Sequence, residues 1–395
     1  MKILMLTPYL PYPLLSGGQI RTYNLLKKLA DKHEITLFAL IKDQNEKRYV
    51  PEIAKFCQKV RVFKRSKNPF TLKNILKTGF SSYPFLVMRN HVPEIIGAVK
   101  KELASQKYDL IHAETFYMVP HIPLTTVPTI LVEQTIEYLG YESYAKKIAW
   151  PIKILFNLDI NKIKHWEKHY WQQADKLIVM SEDDQKYIQQ FVENPAKVEV
   201  VSNGVDSDWF DQTPRQLPKQ PTILSVGTFK WLPNVEAVKF LYQKIWPLIK
   251  QKMPTAKLWI VGNAPTAEVL AYEKEDSAVK VTGRIKDIRD AFKQAHILLA
   301  PVFSGKGTRY KILEAMASGT PIVATSTAVE GLNVTDGEQV MIADNADKMA
   351  ELVLKLITDQ QLWQHLSETG RKFVRANYDW ELISQKLDKI YQSIS

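Results

Sequence analysis

Two periodicities alternate along this chain. Short apolar runs at Lys2–Thr7, Glu34–Leu40, Val60–Phe63, Asp109–Ala113, Thr129–Glu133, Lys176–Met180 and Val198–Ser202 predict strands. Stretches such as Arg21–Lys32 and Val92–Ser105, with apolar positions every three or four residues, predict helices between them. Such alternation points to right-handed βαβ units on a parallel sheet. The pattern stops at Asp206–Pro221, which has three prolines and no period and so predicts a linker. It restarts with strands at Thr222–Val226, Lys257–Val261, Val279–Val281, His296–Pro301, Ile322–Thr325 and Val340–Ile342, and from Asp347 onward the chain is helical by pattern. The expected fold class is α/β, two doubly wound domains facing across a cleft, with ligands at the carboxyl ends of the strands. The expected divisions are a first domain at 1–205, a linker at 206–221, a second domain at 222–375, and a helical segment at 376–395 that packs back toward the first domain.

Composition narrows the class. The 395 residues leave room for two or three domains, and 45% apolar with 24% charged residues is the balance of a folded soluble protein. Cys57, the single cysteine, excludes an internal disulfide and a cysteine metal cage, and fits a reducing cytoplasm. No run approaches the roughly 20 apolar residues of a membrane span. The opening apolar stretch ends at Pro8 without a cleavage pattern, so it predicts a buried strand rather than a signal peptide.

The net charge of +11 is unevenly placed, with 18 Lys and Arg against 6 Asp and Glu in residues 1–100. Between Ile53 and Phe80 there is no acid, while Lys55, Lys59, Arg61, Lys64, Arg65, Lys67, Lys73 and Lys77 occur there. Such a stretch suits an anionic membrane surface or an acidic substrate, with a solvated basic face as the alternative. Lys146–Trp171 interleaves Trp150, Ile154, Leu155, Leu158 and Trp166 with lysines, which fits an interfacial amphipathic helix or a core helix with a basic outer face.

The densest candidate chemistry lies in Ala300–Ala324. A buried strand runs into a glycine-rich turn, a helix opens, and Gly319 closes it before the next strand. Backbone N–H groups at Gly305, Gly307 and Thr308, with the helix dipole, make a pocket suited to a diphosphate, and Lys306, Arg309 and Lys311 add positive charge. Glu314 stands about 10 Å along the helix from Gly307, where a carboxylate can accept from ribose hydroxyls. These residues indicate a nucleotide-diphosphate site, and a tight turn with a solvated basic helix start is the plainer alternative.

Glu314-Ala315-Met316-Ala317-Ser318-Gly319-Thr320-Pro321-Ile322-Val323 resembles the E-A-M-A-x-G-x-P-V-V signature of glycosyltransferase family 4 (glycosyl transferases group 1). Further matches stand in that family's order. Gly17-Gly18 follows the first strand, Val201–Asp206 resembles its P-N-G-V-D turn, Ser225-Val226-Gly227 its first C-domain strand, and Val281-Thr282-Gly283 its base-binding turn. The resemblance, to a surface-polysaccharide branch, implies the GT-B fold of two Rossmann-like domains. It implies transfer of a sugar from a nucleotide diphosphate sugar to a glycan or lipid-linked acceptor, retaining and without a metal or other cofactor. The implied enzyme is cytoplasmic, peripheral on the inner face of the membrane, and has no nucleic-acid partner.

Carried onto this chain, the resemblance makes Gly17, Gly18, Gly227, Thr228, Gly283, Ile285, Gly305, Gly307, Thr308 and Glu314 donor-binding. It makes His112, Lys306, Arg309 and Lys311 catalytic, and Arg21 and Glu114 acceptor-binding. For His112 a strand-end histidine satisfied by backbone groups is the alternative. Lys306 occupies the place of the motif's first glutamate, eight positions before Glu314. Thr228 and Trp231–Asn234 stand where a basic pair is usual, so Arg309 and Lys311 are expected to supply that charge. Asp206-Ser207-Asp208 has the D-x-D spacing but lies in the expected hinge, and His165 with His169 lacks a third ligand, so no metal site is assigned. No G-x-G-x-x-G follows the first strand, which argues against a nicotinamide dehydrogenase. Two other classes stay open: a nucleotide-sugar epimerase, which needs acid and base groups in the cleft, and a non-catalytic nucleotide-sugar or lipid-binding partner subunit.

Overall fold

The computed structural model of the chain describes residues 1–146, 148–150, 152–305 and 310–394, with Lys73 described by its backbone alone. It divides into two compact units, residues 1–202 with 383–395 and residues 203–382. Among the described residues the first unit carries a parallel sheet of β1 (Lys2–Thr7), β2 (Glu34–Ile41), β3 (Lys59–Lys64), β4 (Leu110–Glu114), β5 (Thr129–Glu133), β6 (Lys176–Val179) and β7 (Val198–Val200), in the order β3-β2-β1-β4-β5-β6-β7. The second carries β8 (Thr222–Val226), β9 (Lys257–Val261), β10 (Val279–Thr282), β11 (Ile297–Ala300), β12 (Ile322–Ala324) and β13 (Met341–Ile342), in the order β10-β9-β8-β11-β12-β13. In each sheet the winding reverses beside its first strand, the arrangement that opens a crevice at the strand carboxyl ends.

The strands form where they do because helices cover both faces of a parallel sheet. Ile3–Leu6 and Ile35–Ile41 are accordingly buried without alternation. Each such aliphatic side chain contributes about 1.5–3 kcal/mol of burial.

The stretch expected as a linker is built into the second unit. Asp206 caps the helix Ser207–Asp211 by accepting from the Trp209 N–H at 2.9 Å, and Asp208 pairs with Arg375 at 3.0 Å. Both D-x-D carboxylates thus have structural partners. Arg215 donates to the carbonyls of Ala295 (3.0 Å) and Gly319 (2.6 Å) and lies over the Trp363 ring. The segment lacks periodicity because single long side chains, not a repeating face, anchor it. The boundaries also differ from those expected. The first unit ends at Ser202, where Val205 and Trp380 of the second unit pair through the Val205 N–H to Tyr378 (2.8 Å) and the Trp380 N–H to Val205 (3.1 Å). The last helix, Trp380–Gln392, joins the first unit from Ile383 rather than from 376, and its Asp388 pairs there with Lys32 (2.8 Å) and His33 (3.0 Å).

Candidate functional site

In the second unit the turns after β8, β9, β10 and β11 share one edge of the sheet. Gly227 N–H donates to Val261 (3.1 Å), Phe229 N–H to Asn263 (2.9 Å) and Gly262 N–H to Thr282 (3.1 Å), so neighbouring turns are zipped by backbone bonds. A Cβ on Gly262 would overlap the Gly227 carbonyl, so only glycine permits this approach. Gly283 has open space where a side chain would stand, and Ile285 packs its side chain against the core. Gly305, after β11, holds a left-handed φ of 93°. The helix Tyr310–Ala317 then runs to Gly319, whose φ of 65° ends it; Thr320 N–H bonds Ala315 (2.8 Å) and Gly319 N–H bonds Met316 (2.9 Å). Lys306, Gly307, Thr308 and Arg309 lie outside the described residues.

Two charged groups of that helix belong to the same edge. Lys311 donates to Asn234 Oδ1 at 3.0 Å, and Asn234 Nδ2 in turn holds the Thr228 carbonyl at 2.9 Å, which ties the helix to the turn after β8. Asn234 lies in the segment that stands where a basic pair was expected, and it draws a lysine from elsewhere to that place. Sequence reasoning missed Asn234 as a partner; Pro233 in the first turn of the helix Leu232–Phe240 was the available signal that a helix start faces this edge. Glu236, on the same helix, meets Ser304 Oγ at 3.3 Å. Glu314 is half-buried, and burial pushes its carboxyl up to about 7 although Lys311 pulls the other way. The edge therefore gathers Gly227, Thr228, Gly283, Ile285, Gly305, Lys311 and Glu314: open backbone, a cation and a carboxyl close to its titration point.

The first unit treats its candidates differently. His112, on β4, is 1% exposed, and both ring nitrogens are engaged: Nε2 with Glu114 Oε1 at 3.1 Å and Nδ1 with the Tyr391 hydroxyl at 2.7 Å. Glu114 is buried too. Burial raises its carboxyl, but the His112 bond and charge, with Arg21 behind them, override that and hold it below the usual range. Its other oxygen accepts from Gln134, which also reaches the Tyr9 hydroxyl at 2.7 Å. Arg21, likewise buried, donates to the Ser202 carbonyl at 2.8 Å. His112, Arg21 and Glu114, expected to be catalytic and acceptor-binding, are thus buried inside the first unit with their hydrogen bonds made to its own groups. The partners of His112 are side chains, not the backbone groups that the alternative expected. Gly17 and Gly18 form the first turn of the helix Gly17–Leu29, and a Cβ on Gly18 would crowd Tyr9 Oη and Gln134 Oε1.

Among the described residues, three of the eight basic residues in the acid-free stretch of the first unit are paired with acids from outside it. Lys55 pairs with Glu52, Lys59 with Glu102 (2.7 Å) and Lys67 with Asp43 (2.8 Å), while Arg61 lies over the Phe38 and Phe63 rings. What stands out is apolar. Phe70, Leu72, Phe80, Trp150 and Leu155 are each more than two-thirds exposed, and Ile75, Leu76, Ile152, Ile154 and Leu158 about half or more. Lys162 joins the two helices that carry most of them, Leu72–Phe80 and Ile152–Gln173, by donating to the carbonyls of Thr78 (2.8 Å) and Ser81 (2.7 Å). The second half of Ile152–Gln173 is a core helix, with Ile160, Ile163, Tyr170 and Trp171 buried. The first half leaves Ile152, Ile154, Leu155 and Leu158 exposed, so the core-helix reading of Lys146–Trp171 describes its second half alone.

Family models match in two places, Glycosyltransferase Family 4 over residues 15–209 and Glycosyl transferases group 1 over residues 220–359. A 44.6 kDa protein in the cps region of Klebsiella pneumoniae is 20% identical across 98% of this chain and 99% of its own. A phosphatidyl-myo-inositol mannosyltransferase of Mycolicibacterium smegmatis is 26% identical over 52% of each chain. Among solved structures, sucrose-phosphate synthase of Thermosynechococcus elongatus superposes with a TM-score of 0.72 at 18% identity, covering 100% of this chain and 99% of that one. HepE of Anabaena, solved with UDP-glucose, superposes with a TM-score of 0.68 at 17% identity over the whole of both chains. Two family models together spanning most of the chain, on two parallel-sheet units that share the GT-B fold of those structures, place it: the chain belongs to the family-4, group-1 glycosyltransferases.

Proposed function

We propose that this glycosyltransferase moves a sugar from a nucleotide diphosphate sugar held on the second unit to a glycan or lipid-linked acceptor of the cell envelope held on the first, with retention of configuration and without a metal. The observation that carries the reading is the edge where the turns after β8, β10 and β11 bring open backbone, Lys311 and the carboxyl of Glu314 together. Backbone N–H groups and a cation match a diphosphate, and an ionised Glu314 matches ribose hydroxyls. Lys311 would stabilise the leaving diphosphate as the glycosidic bond opens. The relative from a cps region and the relative named as a mannosyltransferase of phosphatidyl-myo-inositol support an envelope acceptor. The exposed apolar helices support work at a membrane surface, with Phe80, Trp150 and Leu155 entering the lipid.

A panel of nucleotide sugars in thermal denaturation tests the donor, because a bound donor stabilises the fold by mass action. One nucleotide sugar should raise Tm, and transfer from it should continue in EDTA with the anomeric configuration kept. No stabilisation by any nucleotide sugar overturns the donor assignment, while loss of transfer on chelation, restored by a divalent ion, overturns metal independence.

A further inference from the structure

Among the described residues, Arg65 and Arg89 of the first unit each have a buried Nε with no hydrogen-bond partner. Arg65 follows β3, its N–H continuing the ladder to the Ile41 carbonyl at 2.9 Å. Arg89 lies on the helix Phe85–Asn90, which is fixed by Leu86 and Val87 in the core and by the Phe85 N–H on Asp159 Oδ1 at 2.8 Å. Both side chains are half-buried, and the Nε of each is buried without a hydrogen-bond partner. Neither guanidinium makes an ion pair among the described residues, in contrast to Lys55, Lys59 and Lys67 on the same stretch of chain. Burial and then the charge of Arg89 lower the pKa of Arg65, so the two cations act on each other. Tyr117, in the turn after β4, interacts with both, and burial keeps its phenol protonated. Around them the acids are Glu46, near Arg65, and Glu137, near Arg89, whose carboxyl burial pushes up to about 7. Two half-buried guanidinium groups, each with an unpartnered buried Nε and neither in an ion pair among the described residues, leave donors unsatisfied, which a fold retains at a cost unless a ligand completes them.

We propose that Arg65 and Arg89, with the Tyr117 hydroxyl, form a subsite for a phosphoryl group of the acceptor. The subsite rests on the reading that the first unit holds the acceptor. Guanidinium forks suit tetrahedral phosphate oxygens bidentately, and a protonated phenol adds a donor. The turn after β4 that carries Tyr117, and the place where Arg65 follows β3, lie at the carboxyl ends of strands, where doubly wound sheets bind ligands. The phosphoryl group belongs either to a soluble phosphorylated sugar or to a lipid-linked one.

Calorimetric titration with methyl phosphate, and separately with a short-chain polyprenyl phosphate in detergent, tests the subsite without any donor. Wild-type protein should bind methyl phosphate, and Arg65→Gln and Arg89→Gln should each weaken it by about tenfold or more. Tighter binding of the polyprenyl phosphate, lost in both arginine variants, identifies a lipid-linked acceptor, and equal binding of the two probes a soluble one. Arg89→Lys, which keeps the charge without the fork, should bind at an intermediate level and guards against a misfolded glutamine variant. Equal binding by wild type and both glutamine variants overturns the proposal. Nucleotide-sugar binding is read independently, so failure of the donor assignment and failure of this subsite are told apart.

Discussion

Glu314 gives the sharpest test, because its two proposed properties pull in opposite directions. Burial holds its carboxyl at about 7 against an ordinary value of 4.5. The folded chain therefore keeps a proton that the unfolded chain releases. The resulting stabilisation is complete below about pH 4.5 and is lost as pH rises through about 7. Across that window the difference is worth about 3 kcal/mol, so at pH 8 the ionised carboxylate burdens the ligand-free fold by up to that amount. Glu314→Gln removes the titration, and the ligand-free variant should melt higher than wild type at pH 8 and close to it at pH 5. Binding should move the other way. A carboxylate offers acceptors to both ribose hydroxyls, and its loss should weaken a nucleotide sugar by about 1–3 kcal/mol at pH 8. In wild type the ionised fraction rises from about one tenth at pH 6 to about nine tenths at pH 8, so donor affinity should rise about tenfold. In the variant it should stay flat. Calorimetry with a nucleotide sugar, whose diphosphate does not titrate in this range, reads the affinity at pH 6, 7 and 8, and denaturation of the free protein reads the stability. A wild-type affinity flat across that range removes Glu314 from the ribose. An unchanged melting temperature at pH 8 refutes the burial reasoning.

Three further outcomes are expected. Gly262→Ala must separate the turns after β8 and β9, because its Cβ meets the Gly227 carbonyl; a loss of about 1–3 kcal/mol or more should appear as a lower Tm, together with weaker nucleotide-sugar binding, and an unchanged Tm refutes the close approach. Lys311→Ala should reduce kcat more than it reduces affinity for the free nucleoside, since a charge that stabilises the leaving diphosphate acts mainly in the transition state; wild-type turnover would assign Lys311 only its bond to Asn234. Paired Phe80→Asp and Leu155→Asp should abolish co-sedimentation with lipid vesicles. Wild-type binding should largely survive 1 M salt, where the Debye length is about 3 Å, and its complete release there would return the attachment to electrostatics.

The strands were legible almost to the residue, because an apolar run covered on both faces is a local property of the chain. The turns at the edge of the second sheet were legible in part for the same reason: Gly319 ends a helix and is visible as a turn glycine, whereas Gly262 stood out only once the Gly227 carbonyl opposite it was known. Side-chain partnerships were not. His112 finds Tyr391 across 279 positions, and Lys311 finds Asn234 across 77, so no spacing rule could join them. The expected linker failed on the same account, since Arg215 reaches Gly319 from 104 positions away. Glu314 combines both cases, its place set by a local motif and its proton by burial that only the fold supplies.

Charge shows the distinction most clearly. The acid-free run from Ile53 to Phe80 looks like a free basic face, yet Asp43, Glu52 and Glu102 arrive from outside it and neutralise Lys67, Lys55 and Lys59. Net charge over a window counts ions, whereas an external ligand meets only those the fold has left unpaired. Among the described residues of that stretch, the Arg65 Nε is buried without a hydrogen-bond partner and the apolar side chains from Phe70 to Phe80 are exposed. On the proposed readings a lipid-linked phosphate would satisfy both at once, its phosphoryl group at the arginines and its chain in a membrane entered by the apolar helices.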